Sequence, residues 1–330
     1  MTHQKMLKSS AADWAEAERV LRASKRIMAT THVSPDGDAL GSLLGFTHAM
    51  RSIGKYVQPV VQDPPHPRFD FLSGLRDMRQ RPEGPFDLVV SLDASDVQRL
   101  GAAYSPAALG ELPMVVFDHH ITNSFFGAVN VIDTTLASTA ELVLRLVKQM
   151  AIPITPEIAA ALLTGILTDT LAFRTSNTTP DTLSSAMELM RNGAPLMEIT
   201  RKALVMRSWD QIRLQGVGVV NTQVDGRVAY AALTRKLRKE AGVKEERGDG
   251  GLVGTLITAN EVDIAAVFVE LQSGEIEVGF RAAPSFDVSQ VALTLGGGGH
   301  PAASGCTLPG PMRDAVNRVL PLLREAAAKR

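Results

Sequence analysis

The chain has 330 residues, of which 45% are hydrophobic and 21% are charged, and its formal net charge is −1. This length supports two hydrophobic cores, and the composition is that of a globular protein. No stretch reaches the roughly 18 apolar residues that a membrane span needs, and no basic run is long enough to grip many phosphates of a duplex. We therefore expect neither a membrane nor duplex nucleic acid as a partner.

Short apolar runs alternate with helical patterns in the first half of the chain. The sequence predicts strands at 26–33, 56–61, 88–92 and 114–117, and a helix at 39–53. Ser138-Thr139-Ala140-Glu141 is a capping-box pattern, and Thr155-Pro156-Glu157 begins a helix that runs to about Thr168. This alternation predicts an α/β fold, with a mostly parallel sheet flanked by helices.

The second half predicts a smaller α/β domain. A helical connector covers 195–214, and strands at 217–224 and 228–233 form a hairpin around Asp225-Gly226. Strands at 264–271 and 276–281 form another pair, the segment 236–251 is a mobile surface segment, and helices lie at 288–295 and 312–328. The predicted domains are 1–194 and 215–330, joined by the connector 195–214.

Acidic residues and histidines follow the ends of three predicted strands. The carboxyl ends of parallel strands meet at one edge of a sheet, so these side chains should converge on one crevice. A further carboxylate, Asp169, lies near the end of the helix that begins at Pro156. The strand-end residues are His32, Asp36, Asp38, Asp93, Asp118, His119 and His120.

This set offers imidazole and carboxylate ligands without a thiolate, which suits Mn²⁺, Mg²⁺ or Fe²⁺ better than structural zinc. Asp36, Asp38, Asp93 and Asp169 bring four negative charges, which two divalent ions would cancel. Taken singly, each has a simpler explanation: a helix cap for Asp38, a turn residue for Asp93, a surface pair for the histidines. Their joint arrangement favours a two-ion centre.

Gly296-Gly297-Gly298-Gly299-His300 is the second candidate site. Such a run lets several backbone N–H groups point into one concavity that favours anions, although a flexible loop is the alternative. Arg281 ends a predicted strand shortly before it and could hold a phosphate, or simply be solvated. The predicted substrate-binding residues are Arg281, Gly297, Gly298, Gly299 and His300.

The lone cysteine, Cys306, excludes an internal disulfide, and residues 1–12 lack the apolar core of a signal peptide. Both features favour a cytoplasmic location, with Cys306 as a buried thiol.

The motifs, in this order, resemble those of the DHH phosphoesterases. His32-x-x-x-Asp36-x-Asp38, Asp93, Asp118-His119-His120 and Thr168-Asp169-Thr170 resemble the four DHH motifs, and Gly296 to His300 with Ala303 and Gly305 resembles the DHHA1 signature. The resemblance spans about 26–306 and is greatest for the nanoRNase and pAp phosphatase type. Two positions depart from the pattern: Leu171 replaces a glycine, and Ser304 replaces an alanine.

The resemblance implies specific roles for these residues. One ion would be held by His32, Asp36 and Asp93, and the other by Asp38, Asp93, His119 and Asp169. His120 would lie near the substrate phosphate, Asp118 would orient a ligand imidazole, and Arg281 and His300 would contact the phosphate.

The resemblance also implies an activity. The chain would be a homodimeric, Mn²⁺-dependent hydrolase that releases 5′-mononucleotides from short single-stranded RNA and converts 3′-phosphoadenosine 5′-phosphate (pAp) to AMP and phosphate. The alternatives are a cyclic di-AMP or pApA phosphodiesterase with the same core and, from another class, a non-catalytic nucleotide- or RNA-binding module.

Overall fold

The computed structural model describes residues 7–105, 109, 111–244 and 248–328. It divides into two compact units, Met1–Met206 and Arg207–Arg330. This boundary lies inside the segment 195–214 that the sequence analysis assigns to a connector. No helix in the described ranges is both long and apolar enough to cross a lipid bilayer.

The first unit is built on a five-stranded, wholly parallel sheet of order β2-β1-β3-β4-β5. Every residue of β3 and β4 is buried, which explains why these strands are continuous apolar runs rather than alternating ones. The strands are β1 (Arg26–Thr30), β2 (Tyr56–Val60), β3 (Leu88–Leu92), β4 (Met114–Asp118) and β5 (Val129–Ile132).

Helices cover one face of this sheet, and the 3₁₀ segment Val97–Ala103 covers the other together with loops. The helices are α1 (Ala11–Ala23), α2 (Gly37–Ser52), α3 (Thr139–Gln149), α4 (Pro156–Asp169), α5 (Pro180–Arg191) and α6 (Leu196–Thr200), the last followed by a π turn at Arg201–Val205. The 3₁₀ turns are Pro67–Phe69, Leu75–Asp77 and Val97–Ala103.

Glycines let α2 and α4 pack closely. A Cβ at Gly41 would lie 2.5 Å from the Ala161 carbonyl oxygen, and one at Gly165 would lie 2.5 Å from Asp38 Oδ1. This close approach brings the N-terminus of α2 beside the C-terminus of α4, where Asp38 and Asp169 lie.

The second unit contains a six-stranded mixed sheet of order β10-β11-β9-β8-β7-β6, in which β7 and β8 are parallel and the other pairs antiparallel. The strands are β6 (Gln223–Asp225), β7 (Val228–Leu233), β8 (Ile264–Glu270), β9 (Ile276–Ala282), β10 (Gly298–His300) and β11 (Ala303–Leu308). The helices are α7 (Trp209–Val220), α8 (Arg235–Glu240), α9 (Leu252–Leu256), α10 (Ser289–Thr294) and α11 (Met312–Ala328). Helices α7 and α9 pack on one face of the sheet, and helices α10 and α11 pack on the other.

The α/β prediction for both halves is confirmed, and two local predictions, the strand at 217–220 and the capping box at Ser138, are wrong. Residues 217–220, predicted as part of a strand, end helix α7, so the hairpin strand begins only at Gln223. The segment 236–251, predicted as a mobile surface segment, contains most of helix α8; residues 245–247 lie outside the described part, and its mobility stays a prediction. The capping box at Ser138 is incomplete. The Ser138 hydroxyl accepts from the Glu141 N–H, but the Glu141 carboxylate accepts from the N–H of Ala137, at 2.8 Å, instead of the N–H of Ser138.

Candidate functional site

The ends of β1, β3 and β4 bring the predicted residues together. These three strands are adjacent in the sheet, and the order of strands reverses at β1, which is the usual ligand site of an open parallel sheet. His32 follows β1, Asp93 follows β3 with a positive φ of 59°, and Asp118 ends β4. Asp tolerates this left-handed conformation better than most residues.

Asp36 is the N-cap of α2, because its Oδ1 accepts from the Asp38 and Ala39 N–H groups at 3.0 and 3.1 Å. The cap interpretation considered for Asp38 is therefore wrong. Asp38 lies in the first turn of α2, is 1% exposed and points inward. Its Oδ2 and Oδ1 accept from the N–H groups of Thr139 and Ala140 at 2.6 and 3.0 Å.

Seven of these side chains form three groups of candidate metal-ligand atoms. Within each group, all candidate ligand atoms lie within 4.8 Å of one another. The groups are His32, Asp36 and Asp93; Asp38, His119 and Asp169; and Asp93, His119 and His120. Asp93 connects the groups, since its Oδ2 lies 3.6 Å from His32 Nε2 and its Oδ1 lies 3.7 Å from His119 Nε2.

These spacings fit ligands of a shared ion better than direct ion pairs. His119 Nε2 lies 3.4 Å from Asp169 Oδ2 and 3.9 Å from Asp38 Oδ2, which exceeds a hydrogen bond. Two atoms that each bind one small divalent ion at about 2.1 Å lie about 3 to 4 Å apart. The cluster therefore fits a centre for divalent cations.

The pKa values show how strongly the carboxylates oppose each other in the protein alone. Burial, with the charges of Asp93 and Asp169, raises the pKa of Asp38 well above its usual range. Burial also raises the pKa of Asp169 to about 6. Burial opposes ionisation of Asp93 as well, but contact with His32 and the nearby imidazoles lowers its pKa. Positive charge at this point would relieve the repulsion.

His120 and Asp118 form a hydrogen-bonded pair beside the cluster. The distance from His120 Nδ1 to Asp118 Oδ1 is 2.7 Å, and Asn123 donates to Asp118 Oδ2 at 2.7 Å. Burial disfavours the His120 cation, but the hydrogen bond to Asp118 and the charge of Asp93 raise the pKa of His120 to about 9. The resemblance implied that Asp118 orients a ligand imidazole; Asp118 contacts the imidazole of His120, and its role stays a prediction.

Sequence reasoning missed the residues that hold the carboxylates. The Thr139 hydroxyl donates to Asp93 Oδ1 at 2.8 Å, and the Ser42 hydroxyl donates to Asp38 Oδ1 at 3.2 Å. The signal for Thr139 was present in the strong start of helix α3, because a helix N-terminus attracts a carboxylate. Asn123 had no comparable signal.

The predicted phosphate-contact residues of the second unit do not all lie in one site. Arg281 and Gly297 line a cavity of about 600 Å³, within the size range of small-molecule sites. The N–H groups of Gly296 and Gly297 donate to Leu293 and Ala292 and so end helix α10. Gly298 and Gly299 form an edge strand with β11. The glycines are thus not a loose anion-binding loop, and the side chain of His300 lies outside the described part of the chain.

Fold and site together define an α/β protein with a carboxylate and imidazole centre for divalent cations at the switch point of a parallel sheet. The family model of the DHH family, N-terminal domain, matches residues 26–166, and the model of the DHHA1 domain matches residues 226–329. The chain belongs to the DHH family of phosphoesterases, in the group that carries a DHHA1 domain.

Several known proteins resemble the chain over nearly its whole length. It is 38% identical to the bifunctional oligoribonuclease and PAP phosphatase NrnA of Thermus thermophilus, over 91% of this chain and 89% of that protein. It is 27% identical to the NrnA of Bacillus subtilis, over 89% and 92% of the two chains. The structure of an exopolyphosphatase-related protein from Bacteroides fragilis matches with a TM-score of 0.89 and 25% identity, over 96% of both chains.

Proposed function

We propose that the chain is a divalent-metal phosphoesterase that degrades short oligoribonucleotides to 5′-mononucleotides and removes the 3′-phosphate of pAp. The observation that carries the proposal is the position of Asp93, whose two carboxylate oxygens face two separate groups of ligands. The names of the NrnA relatives from T. thermophilus and B. subtilis support both activities.

In this proposal, His32, Asp36 and Asp93 hold one ion, and Asp38, Asp93, His119 and Asp169 hold the other. We propose Mn²⁺ as the native ion, because the ligands are oxygen and imidazole nitrogen without thiolate, with Mg²⁺ and Fe²⁺ as the alternatives. When bound, such a pair polarises the phosphoryl group and makes water acidic enough to attack near neutral pH.

The chain's own residues do the positioning and the proton transfer. The first turn of α3 fixes Asp38 and Asp93 through the hydrogen bonds of Thr139 and Ala140. Asp118 fixes Nδ1 of His120 and favours its protonated form, so that the other ring nitrogen can deliver a proton to the leaving oxygen. This assigns catalytic roles to His120, Asp93 and Asp118.

The second unit would bind a nucleotide in the Arg281 cavity. A guanidinium holds a phosphate through two parallel hydrogen bonds, and the volume of about 600 Å³ suits a small nucleotide. Gly297 lines the cavity, Gly298 and Gly299 support it through β10, and His300 completes the proposed contact set. The proposal also includes a cytoplasmic location and a homodimer. Light scattering on the purified chain would test the dimer.

One substrate panel with Mn²⁺ tests the proposal. It contains pAp, pApA, cyclic di-AMP and oligoribonucleotides of two to ten nucleotides, with products identified by chromatography. We expect AMP and phosphate from pAp and 5′-mononucleotides from the shortest oligomers. Preference for cyclic di-AMP or pApA would replace the substrate assignment, and tight binding without hydrolysis would make the chain a binding module.

A further inference from the structure

A basic surface lies on helix α8 and the turn that follows it. Five cationic side chains line a concavity of about 680 Å³ there, together with one acidic residue, Glu270. The Glu270 carboxylate already accepts from the backbone N–H of Arg235 at 2.9 Å. The five cations are Arg235, Lys236, Arg238, Lys239 and Lys244.

Three of these five cations have no acidic partner within the described part of the chain. Among the residues that the structure describes, the side chains of Arg235, Lys239 and Lys244 form no ion pair within 4.0 Å. Lys236 approaches Glu240 at 3.9 Å, but its side chain is 85% exposed, and such pairs contribute little in water. The concavity therefore favours an anion.

An exposed indole lies one residue before Asp210, which contacts the turn after α8. Trp209 begins α7 and is 63% exposed, with the Arg213 guanidinium 5.7 Å from its ring centroid. The Lys244 N–H donates to Asp210 at 3.1 Å, which holds the turn against the first turn of α7. In the same turn, a Cβ at Gly242 would lie 3.4 Å from Arg213 Nη1. The indole and the cations are thus parts of one surface, which we call the α8 surface.

The α8 surface adjoins the Arg281 cavity within the second unit. The buried Arg238 donates to the carbonyl of Gly248, and Gly248 lines that cavity. Val267 and Val269 of β8 also line the cavity, and both belong to the sheet face on which α7 packs. The α8 surface and the Arg281 cavity are therefore neighbours within the second unit.

We infer that the α8 surface binds the phosphates and one base of a single-stranded oligoribonucleotide beyond the nucleotide in the Arg281 cavity. Cations that follow the backbone, combined with an exposed aromatic ring on which a base stacks, are how proteins hold single strands without reading sequence. An acidic peptide would use the cations but not the flat face of Trp209. The inference rests on the proposed function, because it concerns the length of the substrate.

Charge-reversal variants test the α8 surface independently of the Arg281 cavity and the metal centre. We compare the wild type with Lys239→Glu/Lys244→Glu and with Trp209→Ala, and use Arg313→Glu as the matched control. Arg313 is an exposed cation on α11, which packs on the opposite face of the sheet. Binding of fluorescein-labelled penta- and diribonucleotides to the full chain is followed by anisotropy in EDTA, and KM for both lengths is measured with Mn²⁺.

The double variant should weaken pentanucleotide binding about tenfold at low salt and make it less salt-dependent, because about two phosphate contacts are lost. Trp209→Ala should weaken it about tenfold without changing the salt dependence. Dinucleotide binding, pAp hydrolysis and the Arg313→Glu control should stay unchanged.

Pentanucleotide affinity that is equal in all variants and the wild type would overturn the inference. An equal loss of affinity for the penta- and the diribonucleotide would overturn it too. Competition by polyglutamate as strong as that by the pentanucleotide, insensitive to Trp209→Ala, would assign the surface to an acidic protein instead. If the wild type hydrolysed neither pAp nor dinucleotides but bound pentanucleotides through these residues, the proposed function would fail and the inference would stand.

Discussion

The hydroxyl of Thr139 donates to Asp93 Oδ1 at 2.8 Å, and this bond joins helix α3 to the carboxylate that two of the three groups of candidate ligands share. The N–H of the same residue donates to Asp38 Oδ2 at 2.6 Å. One residue at a helix N-terminus, where partial positive charge favours anions, therefore fixes two carboxylates of the cluster.

Thr139→Val should lower Mn²⁺ affinity by about 10- to 100-fold, because partners behind metal ligands contribute on that scale. The variant keeps the size and the backbone N–H and removes the hydroxyl. Isothermal titration with Mn²⁺ measures the effect, and Thr139→Ser, which keeps the hydroxyl, should retain most of the affinity. Equal affinities for the valine and serine variants would show that the hydroxyl does not position Asp93.

Gly165→Ala should damage both stability and activity. Its Cβ would lie 2.5 Å from Asp38 Oδ1 and 2.6 Å from Ala140 Cβ, so α2, α3 and α4 would have to shift. Overpacking of this kind costs about 1–3 kcal/mol, which thermal denaturation would detect.

The matched control is Gly216→Ala, in the exposed part of α7, where a Cβ meets nothing within 4 Å. This change should stabilise the protein by up to about 1 kcal/mol, because alanine favours a helix over glycine. A Gly165→Ala variant as stable and active as the control would contradict the close packing described for Asp38.

Asp118→Asn should move the alkaline limb of the pH–rate profile to lower pH by about 1 to 2 units. The Asp118 carboxylate helps to raise the pKa of His120 to about 9, so removing its charge brings that pKa back toward 6.5. The profile of kcat/KM for pAp measures the shift. An unchanged alkaline limb would show that protonated His120 is not the proton donor.

Stability should depend on pH in opposite senses with and without divalent ions. The folded protein binds more protons than the unfolded chain between about pH 4 and 6 through Asp169 and between about pH 6.5 and 9 through His120. Both groups have a raised pKa, so in EDTA their contribution to stability is lost as the pH rises through these windows. Mn²⁺ binding needs deprotonated ligands, so stabilisation by Mn²⁺ should grow over the same range.

Thermal denaturation at several pH values, in EDTA and in Mn²⁺, tests this prediction. Asp169→Asn is the control, and it should lose the dependence between about pH 4 and 6 in EDTA. Parallel pH profiles in EDTA and in Mn²⁺ would contradict the assignment of these groups to an ion site.

The strands that carry the site were predictable because a parallel sheet buries both faces, so β3 and β4 are short apolar runs with a polar residue at their ends. The helical conformation of 217–220 was not predictable from the sequence, because Val217, Val219 and Val220 favour strands locally although α7 continues through them. The role of Gly296 and Gly297 depends on the carbonyls that end α10, which composition does not reveal. The basic concavity of α8 needed the fold, because Glu270 and Lys244 are distant in sequence.

Titration of the metal-free chain with Mn²⁺ tests the central claim most directly. The clustered donors predict about two ions per chain, and electron paramagnetic resonance should show that the two ions are magnetically coupled through a shared ligand. Asp93→Asn should abolish the coupling and at least one ion, whereas Asp181→Asn, at an exposed position on α5, should leave both unchanged. Uncoupled binding in the wild type, or full binding by Asp93→Asn, would contradict the account.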